Sequence, residues 1–193
     1  MELNESKKLA SFKKEFFKHA KKNKLYKNVL KTDGKIVFGR GSDSPTILFI
    51  GEAPGSNENK VGKPFIGRSG KLLDGWIEDL ELKKNFAIIN VVPIIPLYEG
   101  KIRPPTKKEI NYFLPLTEKY IELLKPKLIV LLGRSAASIF DKTLTLGQLK
   151  QYKTTKLFFI YHPSYYLRKG GKGFENEILL LKKIINNKTK KLV

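Results

Sequence analysis

Cysteine is missing from this 193-residue sequence, and histidine occurs only at His19 and His162. Without a thiol the chain can form no disulfide, no cysteine-ligated zinc site and no iron–sulfur cluster of its own. Long apolar runs are lacking too. The longest are strand-sized, well short of the roughly 18 residues of a membrane span. The opening Met1-Glu2-Leu3-Asn4-Glu5 is polar and acidic, which predicts no secretory signal and an intracellular location. Neither a second histidine nor a carboxylate cluster is available to hold a catalytic metal, so metal-free chemistry is expected. Acidic residues are scarce: 18 Asp and Glu stand against 38 Lys and Arg, a formal charge of +20.

That surplus would draw the chain to phosphate backbones through counterion release. Part of it sits in Ile- and Asn-rich stretches such as Ile184-Ile185-Asn186-Asn187-Lys188, a bias that an AT-rich coding genome also produces. Nucleic acid is the favoured partner, ahead of an anionic membrane surface. Hydrophobic residues make up 41%, enough for a core and too many for wholesale disorder. Length predicts one domain, taken as residues 1–185, followed by a basic tail over 186–193. No internal repeat or dividing linker is visible.

Leu9, Phe12, Phe16 and Ala20 fall at helical spacing, so 5–22 reads as an amphipathic helix. Short apolar runs follow at 36–38, 46–50, 86–92, 128–132 and 157–161, and each reads as a strand. Between them, Ser69 is placed to cap a helix through Leu72, Leu73, Trp76, Ile77 and Leu80. Thr106 and Glu109 form a capping box for a helix that Pro126 stops. A last helix is expected over 174–186. Continuous apolar strands alternating with helices predict a three-layer α/β/α fold around a central, mainly parallel four-stranded sheet.

In such sheets ligands bind beyond the carboxyl ends of the strands. Three of those ends carry chemistry: Glu52, Asn90 and His162. The stretch from Gly51 to Gly70 holds five glycines and two prolines, a tightly turning backbone able to approach a ligand closely. Phe65 within it is either a core aromatic or a stacking plate for a flat ring. Gly70-Lys71-Leu72 fails the spacing and the Ser/Thr of a phosphate-binding P-loop.

These residues resemble a known family. Gly51-Glu-Ala-Pro-Gly55, Gly62-Lys-Pro-Phe-Ile-Gly67, Asn90-Val91-Val92, the run Pro126–Gly133 and His162-Pro-Ser-Tyr-Tyr-Leu-Arg168 are similar in order and spacing to the uracil-DNA glycosylase superfamily, nearest its family 4 branch. The resemblance implies hydrolysis of the N-glycosidic bond of a flipped-out deoxyuridine in DNA, single- or double-stranded, by a monomer acting without membrane or cofactor. It implies Glu52 and His162 as catalytic groups, with Gly51, Ala53, Gly55, Phe65 and Asn90 around the base. Glu58 offers a second carboxylate, and Ser164 and Arg168 belong to the segment that grips the DNA strand. Ala53 stands where other branches place a water-activating acid. Family 4 holds a four-cysteine iron–sulfur cluster, whose ligand positions align here with Ala20, Asn23, Ile94 and Phe113. Packing in place of the metal is expected there. A non-catalytic DNA-binding scaffold of the same fold, or a glycosylase for hypoxanthine, xanthine or mismatched thymine, are the alternatives.

Overall fold

The computed structural model describes residues 2–189, with side chains from 7 to 186. Four parallel strands form the middle of the sheet in the order β3 (Phe86–Asn90), β2 (Ile47–Gly51), β6 (Leu128–Leu132) and β8 (Thr155–Ile160). These are the four expected. Two antiparallel edge strands extend them: β1 (Arg40–Gly41) beside β3 and β7 (Leu149–Tyr152) beside β8. The expected strand at 36–38 is instead an extended segment, buried at Ile36 and Val37, with the Val37 N–H donating to Pro93 O at 2.8 Å. Its apolar residues signalled burial, and the ladder forms two residues later. A separate hairpin, β4 (Leu97–Tyr98) with β5 (Lys101–Ile102), leaves the sheet after β3.

Each central strand sends alternate side chains to opposite faces. Leu48, Ile50, Ile129, Leu131, Leu157 and Phe159 meet α1 (Glu2–Lys21), α2 (Tyr26–Lys31) and α5 (Lys107–Leu124). Ile47, Phe49, Leu128, Val130, Phe158 and Ile160 meet α4 (Arg68–Asp79), α7 (Pro163–Arg168) and α8 (Glu175–Thr189). Two apolar layers thus clamp one sheet. Two further short helices, α3 (Ser56–Val61) and α6 (Arg134–Phe140), follow β2 and β6. The last helix runs past the expected boundary, so 186–189 are helical, and 190–193 of the expected basic tail lie outside the described residues.

Local signals explain most helix ends. The Glu109 N–H donates to Thr106 Oγ1 (3.3 Å) and the Thr106 N–H to Glu109 Oε2 (2.7 Å), the expected reciprocal cap of α5. That helix closes on Lys125 at φ +47°, just before Pro126. The N-cap of α4 is Gly67, not Ser69. A carboxylate from α3 takes the Gly67 N–H, so the helix starts two residues early without a side-chain cap of its own.

The positions aligned with cluster ligands do not fit a cluster. Ala20, Ile94 and Phe113 are fully buried in one apolar group with Phe12 and Phe16 of α1. Asn23 turns its Oδ1 onto the Leu25 N–H at 2.9 Å. Phe113 therefore acts as structure. Phe113→Ala should cost about 3–5 kcal/mol in urea unfolding, the loss typical of an emptied aromatic site. The same purified protein should show no visible absorption from iron and sulfide. A loss below about 1 kcal/mol would mean that packing at this helix contact carries little.

Candidate active site

The chain lays down β2, then β3 on one side, then crosses to place β6 on the other. A reversal of this kind opens a crevice at the carboxyl ends of β2 and β6, where ligands of parallel sheets bind. A cavity of about 800 Å³ lies at that end of the sheet, lined by Glu52, Phe65, Asn90, His162, Ser164 and Arg168 among others. Ala53, Gly55 and Glu58 line it as well. The sequence-expected residues are brought together, with Gly51 directly beneath.

Glu52 is held by its backbone. Pairing between β2 and β3 continues past the strands, with Val91 N–H on Gly51 O (3.0 Å) and Val92 N–H on Glu52 O (2.9 Å). Burial pushes the Glu52 carboxyl above its ordinary range, and a hydrogen bond from the Ser135 side chain partly offsets this. Ser135 sits in α6, behind the neighbouring strand β6, and no sequence signal marked it.

Asn90 ends β3 opposite Gly51 and is 6% exposed. Its Oδ1 is buried with no hydrogen-bond partner. Of the buried side-chain atoms without a partner among the described residues, this one belongs to a residue that lines the cavity. Gly51 is required by this packing: a Cβ there would lie 2.5 Å from Asn90 Oδ1 and 2.7 Å from the Phe65 ring.

Phe65, 6% exposed, is a core aromatic that also borders the cavity. Its ring lies 5.4 Å from that of His162 at 35°. Its backbone is at φ +51°, a strained region for a bulky residue. Arg40 holds it there, donating Nε–H to Pro64 O (2.9 Å) and Nη2–H to Phe65 O (3.1 Å) while pairing with Asp74 at 2.5 Å. Gly70 allows the close approach, since a Cβ at that position would run into the Phe65 carbonyl.

Glu58 is spent on the loop. Its Oε2 accepts from Gly55 N–H (3.1 Å), and its Oε1 from Ile66 and Gly67 N–H (3.0 Å each). It braces the two halves of the 51–70 stretch, where the sequence offered it as a second acid. Among the described residues no group of His, Asp and Glu is arranged to hold a metal ion.

His162 caps α7 with its ring. The Ser164 N–H donates to Nδ1 at 3.1 Å, and the Ser164 hydroxyl reaches the same nitrogen at 2.8 Å. Arg168 Nη1 in turn donates to Ser164 Oγ at 3.4 Å. An Nδ1 that accepts leaves the proton of the neutral ring on Nε2. Burial first, and the Arg168 charge second, lower the imidazole from 6.5 to about 4, with Glu58 opposing weakly. The ring is a neutral donor at pH 7.

The profile described as "Uracil DNA glycosylase superfamily" matches residues 38–185. The chain belongs to the uracil-DNA glycosylase superfamily. Its relatives include a type-4 uracil-DNA glycosylase of Sulfurisphaera tokodaii, 38% identical over 143 residues, or 66% of this chain and 64% of that protein. The type-4 enzyme of Archaeoglobus fulgidus is 34% identical over 69% of this chain and 73% of its own length. That of Thermotoga maritima is 33% identical over 69% and 72%. The superfamily match begins at Phe38 and so includes every cavity residue named above, while α1 and α2 lie before it. Among the described residues no helix is long and apolar enough to cross a membrane.

Proposed function

We propose that this chain is a monofunctional uracil-DNA glycosylase that extrudes deoxyuridine into the cavity and hydrolyses its N-glycosidic bond. The unpartnered Asn90 Oδ1 carries the reading. Uracil presents N3–H as a donor and O4 as an acceptor along one edge, and a single amide answers both. Phe65 supplies the flat face against which the ring stacks.

Cleavage breaks C1′–N1, sends the bonding pair into the uracil ring and leaves positive character on the sugar. His162 Nε2–H stabilises the charge gathering on uracil O2, a fixed neutral donor that needs no rearrangement as the bond breaks. Glu52 in its carboxylate form would face the sugar cation or orient the water that adds to C1′ and take its proton. Ser164 and Arg168 hold the imidazole in this tautomer and flank the DNA strand. The products are free uracil and an abasic site, with no metal or organic cofactor in the scheme.

The test is single-turnover excision on matched oligonucleotides carrying uracil, hypoxanthine or a thymine–guanine mismatch. Excision of uracil well above the other two supports the reading. Tight binding to all three with no base released would make the chain a scaffold, and preference for hypoxanthine would reassign the pocket.

A further inference from the structure

Arg40 does not line the cavity, yet its guanidinium touches the loop that forms one wall. It stands in β1, the two-residue edge strand, opposite Ile88 of β3. The Ser42 N–H donates to Phe86 O at 2.7 Å and fastens the chain just beyond it to the same strand. Cross-strand partners share a face, and so do residues two apart on one strand. Arg40, Ile88 and Asn90 therefore project to one side of the sheet. Phe65 packs in the apolar layer on that side, together with Ile88.

The Arg40 Nε–H goes to Pro64 O and the Nη2–H to Phe65 O, and these two carbonyls flank the Phe65 Cα. One planar group gripping both fixes the two peptide planes relative to each other, and with them the backbone angles of Phe65. That backbone is at φ +51°, a region that a bulky aromatic does not hold unaided. Glu58 holds the chain from the next residue, Ile66, while Arg40 is the tie on Phe65 itself. Asp74 aims the fork, but its side chain is 47% exposed, and a pair so wetted adds little alone.

We propose that Arg40 is a positioning residue for excision: its fork on the Pro64 and Phe65 carbonyls ties the Phe65 ring to the strand that carries Asn90. The inference rests on the reading of Phe65 as the plate against which the base stacks. Asn90 meets the edge of the base and Phe65 its face, so aligning the glycosidic bond requires both to be placed from one reference. Strand β3 is that reference, since it ends in Asn90 and, through β1, holds Arg40. Misplacement by about 1 Å, even from a change far from the chemistry, can lower a rate by about 10²-fold. Lysine is no substitute, because a point charge serves Asp74 but not two carbonyls in a fixed fork.

The test is single-turnover excision from a single-stranded uracil oligonucleotide by saturating amounts of the full chain. Arg40→Met should slow it by about 10–100-fold while affinity for the oligonucleotide stays near wild type. Arg40→Lys, which keeps the charge, should be slowed nearly as far. In a Phe65→Leu background, Arg40→Met should cost less than about 2-fold, because a residue acting only through the ring has nothing left to place. The Phe65 and His162 rings lie 5.4 Å apart, so the aromatic ring current reaches the His162 ring protons. In Arg40→Met their NMR shifts should move toward those of Phe65→Leu. Wild-type rates in Arg40→Lys, losses that multiply in the double variant, or unmoved His162 signals would overturn the proposal. If the native chain released no uracil, the glycosylase reading would fall. The His162 shifts need no substrate and would still decide whether Arg40 places the ring.

Discussion

Asn90→Ala should lower single-turnover uracil excision by about 10²–10³-fold, the range for removing one fixed polar group that meets the reacting base. Affinity for undamaged DNA should barely change, because phosphate contacts position the duplex without reading bases. The asymmetry follows from the burial of Oδ1 without a partner. In the proposed complex uracil N3–H would satisfy that acceptor. Cytosine brings a bare N3 and an amino group, so both contacts invert, and sites of this kind reject the wrong base by roughly 10⁴–10⁵. Asn90→Asp replaces the amide donor with a second acceptor and should lose uracil at least as far. Excision and filter binding on the same oligonucleotide separate the two effects. Unchanged excision in Asn90→Ala would return this residue to the role of a core polar group.

His162→Ala should cost a similar factor, about 10²–10³ in turnover, with substrate affinity much less affected. The pH dependence distinguishes its role. With the ring lowered to about 4, neutral His162 persists through the range where an ordinary histidine would charge. No loss of activity is therefore expected near pH 6.5. The acid limb should follow the Glu52 carboxyl, which is raised above 4.5, and should disappear along with most of the rate in Glu52→Gln. Stability runs in a related direction. Between about pH 6.5 and 4 the unfolded chain binds a proton at His162 that the folded chain refuses, so stability falls as pH drops through that window. Ring proton signals in NMR, assigned with a His19→Gln variant, check the titration directly. A midpoint near 6.5 for His162 would remove the neutral-donor mechanism.

Much of this site was legible because parallel strands buried on both faces write unbroken apolar runs. The residue after each run then falls at the ligand end of the sheet. His162 follows its run directly, Glu52 stands one residue further on after Gly51, and Asn90 lies late within the run 86–92. Other parts leave no such trace. The edge strands β1 and β7 are short and largely polar, so nothing in Arg40–Gly41 or Leu149–Tyr152 separates them from loops. Six residues, Ser56–Val61, carry too little periodicity to announce α3. Arg40 acts across 24 to 34 residues of sequence, onto Pro64, Phe65 and Asp74, and a lone arginine gives no hint of it. Glu58 was visible as a carboxylate, but its consumption by three amides depends on how the loop folds back. Spacing finds acids, and only the fold shows which remain available.

The Glu58 brace bears on how the cavity fails as well as on how it forms. One carboxylate ties Gly55, three residues away, to Ile66 and Gly67, eight and nine residues away. The segment between closes on itself at this carboxylate, while Arg40 holds Pro64 and Phe65 from outside. Those three amides share one acceptor, so hydrogen exchange should find them opening to solvent deuterium at similar rates. Phe65 rides on that segment. Release of that carboxylate would therefore loosen the Phe65 wall of the cavity along with the amides it holds.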